Sequence, residues 1–183
     1  GGSSSSGNSI RPLVAGITIQ DTSSTQRAVY FEKVSTSGDL VTVNLMLRTN
    51  MTETINGFAF TLLFDNTVFQ VGGADTSMTP FGACASTAGA CTVECLTNAS
   101  TANATGELNI GVTLLGSPCT GFTTDTSTPE PLFTLGFIAA AEGTSTLRFG
   151  MSGSTGDCQV FDAGGNDLGI PCLDGAATLT ATQ

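Results

Sequence analysis

Histidine is absent from this chain of 183 residues, and with it go the usual general base, the commonest metal ligand and any serine–histidine triad. Fifteen carboxylates remain, but they are scattered over turn-forming stretches and no pair stands out at strand ends for paired-acid catalysis. The reading is a non-catalytic protein. Tryptophan is also absent and tyrosine occurs once, as Tyr30, which leaves few flat aromatic faces to stack on sugar rings. A carbohydrate-binding module is therefore the weaker alternative. Positive charge is scarce: five Lys plus Arg against fifteen Asp plus Glu give a formal net charge of -10, the opposite of what a polyphosphate partner requires. Nucleic acid is excluded on that ground. No apolar run approaches the roughly 18 residues that a membrane-spanning helix needs. No CxxC pair occurs, so the six cysteines read as disulfides rather than as a zinc centre, and no cofactor is implied.

What the chain does hold is a composition that can fold. Forty per cent of the residues are hydrophobic, and the length suits one domain with a real core. Six cysteines, 23 glycines and many Ser and Thr residues point to an extracellular or cell-surface protein with oxidised thiols. The opening GGSSSSGNS has the composition of a flexible spacer and resembles the tether that follows the lipidated cysteine of bacterial lipoproteins; a cloning remnant would look the same. The expectation is a Gly/Ser-rich tether or N-terminal arm over residues 1–12, with a lipid anchor on a residue preceding Gly1 as one option, and a folded domain over 13–183. The acidity reads as a solubilising surface.

The stretch GFAFTLLFDNTVFQV, residues 57–71, shows the pattern that runs through the chain. Phe58, Phe60, Leu62 and Phe64 alternate with Ala59, Thr61 and Leu63, as in a strand with one buried face. Asp65 and Asn66 then supply turn chemistry, and a second apolar run begins. Further strand candidates occupy 13–20, 28–34, 40–48, 107–115, 131–139, 145–151, the 157–162 region and the closing ATLTAT, with no helix signal of useful length. Short strands at this density define an all-β antiparallel sandwich or jelly roll. Its core candidates are Val41, Val43, Leu45, Phe58, Phe60, Leu62, Phe64, Val112, Leu114, Phe133, Leu135, Phe137, Leu147 and Phe149.

Residues 76–105 and 116–130 are small, polar and rich in cysteine, and they read as surface insertions stapled by disulfides. Cys158 and Cys172 sit symmetrically about Gly165 in CQVFDAGGNDLGIPC and suit opposite positions of one hairpin. Cys84, Cys91, Cys95 and Cys119 allow three pairings, with Cys84–Cys91 and Cys95–Cys119 favoured. Asp162, Asn166 and Asp167 at the hairpin tip carry oxygens that calcium accepts, but DxxxND lacks a full ligand series and reads as a turn. Asn50, Asn98 and Asn103 each open an acceptor pattern for N-glycosylation.

In order along the chain, GDLVTVNLMLRTN, INGFAFTLLFDNTVFQV, GELNIGVTLL, PLFTLGFIAAAEGTSTLRF and QVFDAGGNDLGIPCLDGAATLT resemble a cohesin domain, over roughly residues 38–181. The aromatic-Asp pair that ends a long strand in that family is matched by Phe64-Asp65, followed in the family's order by a Leu-x-Phe strand, a Gly-Thr turn and a closing hairpin. Phe64-Asp65-Asn66 then corresponds to the corner where one long strand turns over into a short one. The resemblance implies a nine-stranded jelly-roll β-sandwich that binds dockerin modules of other secreted proteins through one exposed sheet face. Carried over residue by residue, that face holds Ala59, Thr61 and Leu63, with Asn109, Gly111, Thr113 and Leu115 on the neighbouring strand. The alternative is a self-assembling subunit of a surface fibre or lattice, binding copies of itself, whose N-terminal segment adds a strand to the next copy.

Overall fold

The computed structural model describes residues 11–20, 26–75, 80–125, 128–150 and 158–183; most of the expected tether, residues 1–10, lies outside them. Among the described residues the chain forms fourteen strands and one short helix. The first six strands are β1 (Val14–Ile19), β2 (Ala28–Ser37), β3 (Leu40–Arg48), β4 (Thr54–Ile55), β5 (Gly57–Leu63) and β6 (Phe69–Asp75). β7 (Thr87–Ala88), β8 (Cys91–Thr97) and the helix α1 (Ala99–Thr105) follow. The remainder are β9 (Glu107–Leu115), β10 (Phe122–Thr123), β11 (Glu130–Ala139), β12 (Gly143–Phe149), β13 (Cys158–Phe161) and β14 (Ala177–Thr182).

Alternation explains why these segments are strands and where each face goes. In β3, Val41, Val43, Leu45 and Leu47 are all at most 1% exposed, while Thr42 and Asn44 lie half-buried on the other face. β5 buries Phe58, Phe60 and Leu62 in the same manner. Two sheets result, with a single hydrophobic core between them. The larger runs β1-β14-β12-β5-β9-β8-β7, and β13 continues along the edge of β5 where β12 stops. The smaller runs β2-β3-β11-β6, and β4 pairs β10 as a separate two-stranded piece. Phe133 of β11 reaches across to Phe58 and Phe60 of β5, and Phe137 meets Phe64 edge-on, so aromatic contacts join the two sheets.

The corner after β5 moves the chain from one sheet to the other. Asp65 folds its carboxylate back to accept the Thr67 amide at 2.9 Å and the Thr67 hydroxyl at 2.6 Å. Its carbonyl accepts the amides of Val68 and Phe69, and its own amide donates to the buried Ser145 hydroxyl at 2.8 Å. The chain leaves this turn as β6, an edge strand of the smaller sheet. Asn103 of α1 then pairs with β6 as a short strand would, accepting the Val71 amide and donating to the Val71 carbonyl. Gly106 ends α1 at φ +74, where a Cβ would stand 2.7 Å from the Phe64 carbonyl.

Several expectations change. Fourteen strands replace the nine that the resemblance implies, because β12 and β13 divide one edge of β5 and three pairs of residues form minimal strands. The segment 76–105 does not merely sit on the surface: it supplies β8, a full member of the larger sheet, and α1. Cys84 bonds Cys95 and Cys91 bonds Cys119, in place of the favoured pairing, because Cys84 crosses to the far end of β8 while Cys119 returns to its start. Cys158–Cys172 closes the hairpin as expected. Of the core candidates, Leu114 and Phe149 are half-buried against the core rather than inside it.

Phe133 is fully buried and touches both central aromatics of β5. Phe133→Ala should cost about 3–5 kcal/mol of unfolding free energy, measured by urea titration. A loss below about 1 kcal/mol would mean that the two sheets do not meet at this residue.

Candidate protein-docking face

The outward faces of β5 and β9 carry the small residues. Across one row of the larger sheet, Leu96 of β8 pairs with Gly111 of β9, Gly111 with Ala59 of β5, and Ala59 with Gln159 of β13. On the next row Glu94, Thr113, Gly57 and Phe161 follow in the same strand order. On the opposite side Thr61 pairs with Asn109, and its hydroxyl donates to the Asn109 Oδ1 at 2.7 Å. Small side chains on the two central strands and longer ones on the flanking two make a trough. A hollow of about 440 Å³ lies over Ala59, Thr61, Asn109 and Gly111, between Leu96 and Gln159. A second of about 220 Å³ adjoins it over Thr113, between Glu94 and Phe161.

The structure brings together five of the seven residues expected on this face. Ala59, Thr61, Asn109 and Gly111 line the larger hollow and Thr113 the smaller. Leu63 and Leu115 point the same way but lie beyond the hollows, Leu63 opposite Glu107 and Leu115 opposite Thr92. Thr61 is 7% exposed, sunk into the floor rather than presented on it. The walls are what the sequence reading missed. Leu96, 66% exposed, and Glu94 come from the cysteine-rich segment, and Gln159 and Phe161 from the closing hairpin. A signal was there: CTVECLT alternates Thr92, Glu94 and Leu96 against Cys91, Val93 and Cys95.

The face is acidic and apolar together. Glu94 stands beside Leu96, Glu107 lies opposite Leu63, and Arg148 on the other side of Leu63 is turned towards Asp174 at 3.8 Å. At the rim, Asp162 accepts the amides of Gly164 and Asn166, both at 2.9 Å, and the Asn166 side chain. The Asn166 amide is the largest influence holding its carboxyl below the usual carboxylate range. This is the turn role expected of Asp162 and Asn166, and among the described residues no group of three or more His, Cys, Asp or Glu is placed to hold a metal. Tyr30 is buried, with the Arg48 guanidinium 4.7 Å from its ring centroid, and offers no platform for a sugar. Asn98 and Asn103 each use both ends of the side-chain amide inside the fold, and of the three acceptor patterns that of Asn50 is the exposed one. Among the described residues no helix is long and apolar enough to cross a membrane.

An antiparallel sandwich with a small-floored trough on its larger sheet is the class these features define. Solved structures similar to it include cohesins. The second type II cohesin module of the adaptor ScaA scaffoldin of Acetivibrio cellulolyticus matches with a TM-score of 0.57 at 15% identity, over 82% of this chain and 88% of that one. A type II cohesin from Bacteroides cellulosolvens matches with a TM-score of 0.52 at 18% identity, over 82% and 97%. A chain of a complex between a CaDoc0917 variant and CaCohA2 matches with a TM-score of 0.50 at 17% identity, over 79% and 93%. No family model matches the sequence, and no curated protein matches it. The fold is cohesin-like.

Asp65 and Asp162 both have carboxyls held low, Asp65 chiefly by the Thr67 hydroxyl and Asp162 chiefly by the Asn166 amide. A carboxyl whose folded pKa lies below its unfolded value adds stability that is complete above about pH 4 and is lost as pH falls through the folded value. Replacing both by Asn should therefore flatten the fall of the melting temperature between about pH 5 and pH 2. An unchanged acid limb in thermal scans would show that these turns are not held by the ionised groups.

Proposed function

We propose that this is a non-catalytic extracellular interaction module that docks a dockerin-like module of another secreted protein in the trough of β8, β9, β5 and β13. The observation that carries the reading is the trough itself, an open, largely apolar channel with an exposed leucine on one wall. Leu96, at 66%, is the most exposed large hydrophobic among the described residues, and it adjoins the apolar floor of Ala59 and Gly111, so that together they form a continuous contact surface. The cohesin-like fold, shared with a chain solved in the CaDoc0917–CaCohA2 complex, supports it. So do three disulfides, which fit an oxidising compartment.

The dimensions say what shape fits. Three strand spacings separate Leu96 from Gln159, about 14 Å between backbones, which seats an α-helix of about 10 Å diameter laid along β5 and β9. Its apolar side chains would rest on Ala59 and Gly111, and a Lys or Arg would face Glu94. Self-assembly through the N-terminal arm would engage residues 1–10, outside the described ones, and leaves the trough without a role. The docking reading accounts for it.

Gly111 offers the cleanest test, since a Cβ built there meets nothing nearer than 3.8 Å and its backbone needs no glycine. Gly111→Leu should fill the floor, leave the melting temperature unchanged and weaken binding of a captured dockerin by at least about thirtyfold in calorimetry against a dockerin panel. Binding that survives the substitution would place the interface elsewhere. Saturable heat with a glucan or chitin panel, or regular polymers in light scattering, would replace the reading by the sugar-binding or self-assembling alternative.

A further inference from the structure

The two walls of the trough are held in different ways. β13 pairs with β5 along its whole length and puts Val160 in the core. Its hairpin returns through Ile170, also buried, and residues 171–173 are bonded to β2 by the Val29 amide and carbonyl. β8 has less. It contributes one fully buried side chain, Val93, and the segment that covers its outer edge, residues 82–90, is exposed throughout. What β8 has instead is two of the three disulfides. Cys91 at its start is bonded to Cys119, and Cys95, next to the wall residues Glu94 and Leu96, is bonded to Cys84.

We propose that these two disulfides gate the docking face: oxidation erects the β8 wall, and a dithiol reductant takes it down while the rest of the sandwich stays folded. The chemistry is ordinary exchange. A thiolate of the dithiol attacks one sulfur and then closes on itself, so each protein disulfide gains two electrons and two protons as a pair of cysteine thiols, and the dithiol leaves as its own disulfide. Released from Cys84 and Cys119, the segment 82–97 regains the chain entropy that the cross-links removed, and one buried valine on the β9 ladder does not hold it. Leu96 and Glu94 then leave the trough, which keeps its floor but loses a wall. The consequence for binding rests on the docking reading above; the release of β8 does not.

Hydrogen exchange with mass spectrometry on the full chain, before and after dithiothreitol, tests it. Peptides covering 84–97 should lose protection by about a hundredfold on reduction, whereas β3, β5 and β11 should change by less than about threefold. The paired substitution of Cys84 and Cys95 by Ser, with Cys91 and Cys119 also replaced, should reproduce the released state without reductant. Replacing Cys158 and Cys172 by Ser should leave β8 protected. Persistent protection of β8 after every thiol has been titrated overturns the proposal, and so does loss of protection in all strands at once. Because this readout needs no partner, failure of the oxidised protein to bind any dockerin sinks the docking reading alone. Undiminished dockerin binding by the reduced protein sinks the gate.

Discussion

Phe58 and Phe60 meet Phe133 across the sandwich, with ring centroids 5.8 and 5.9 Å apart, and that contact decides which way β5 faces. Side chains alternate along a strand, so holding Phe58, Phe60 and Leu62 inward sends Gly57, Ala59, Thr61 and Leu63 outward. β9 is paired with β5 in register, and its own Leu108, Ile110 and Val112 are buried, so Asn109, Gly111 and Thr113 arrive beside them. The floor of the trough is thus the reverse side of the core. A slip of one residue in β5 would expose three large apolar side chains and bury the floor, which is why the aromatic packing specifies the outer surface as firmly as the inner one.

This dependence also explains what could be read from the chain. The inward and outward sets of β3, β5, β9 and β11 follow from local alternation, and the Phe64-Asp65-Asn66 corner follows from turn chemistry at the end of such a run. β8 does not announce itself in the same way. Its inward positions are Cys91, Val93 and Cys95, two of which are occupied by disulfide sulfur rather than by a large hydrophobe, so the periodic signal is weak although the alternation is present. The disulfide partners were illegible for a related reason. Pairing depends on where residues 84 and 119 lie once β8 has been laid against β9, and sequence separation favours the shorter loop from Cys84 to Cys91 over the observed one of 11 residues to Cys95. The helix α1 is a single short segment whose place is set by contacts outside it, Asn103 with Val71 and Asn98 with Asn109.

Charge is distributed to the same effect. Two of the five cations are engaged within the fold, Arg27 in an ion pair with the nearly buried Glu53 and a hydrogen bond to the Leu168 carbonyl, and Arg48 over Tyr30, while Arg148 faces Asp174 at the surface. The Glu53 hydrogen bond, ahead of the opposing effect of burial, raises the Arg27 pKa and keeps the guanidinium charged. With those cations committed, a chain of net charge -10 turns a negative field outward. Such a field speeds the approach of a basic partner and repels other copies of the chain. The trough floor itself carries no charge, so on the docking reading steering and contact are separate: the acids would draw the partner in, and Ala59, Gly111 and Leu96 would provide the apolar area that holds it.

The corner after β5 ties this floor to both sheets. The Phe64 amide is bonded to the Gly106 carbonyl, which precedes β9; the Asp65 amide is bonded to Ser145 of β12; and β6, leaving the turn, is held along one edge by β11 and at Val71 by Asn103. One end of the floor strand is therefore fixed from the two strands beside it and from the opposite sheet. The walls are held differently, since β8 follows a cysteine-rich excursion and β13 opens a hairpin that returns to β2 at Val29. On the docking reading, changes in wall residues such as Glu94, Leu96, Gln159 or Phe161 would alter what the trough accepts without touching the packing that forms it, whereas changes in the floor strands must first satisfy the core. A docking face so built would let partner choice vary at the walls while the fold is preserved at the floor.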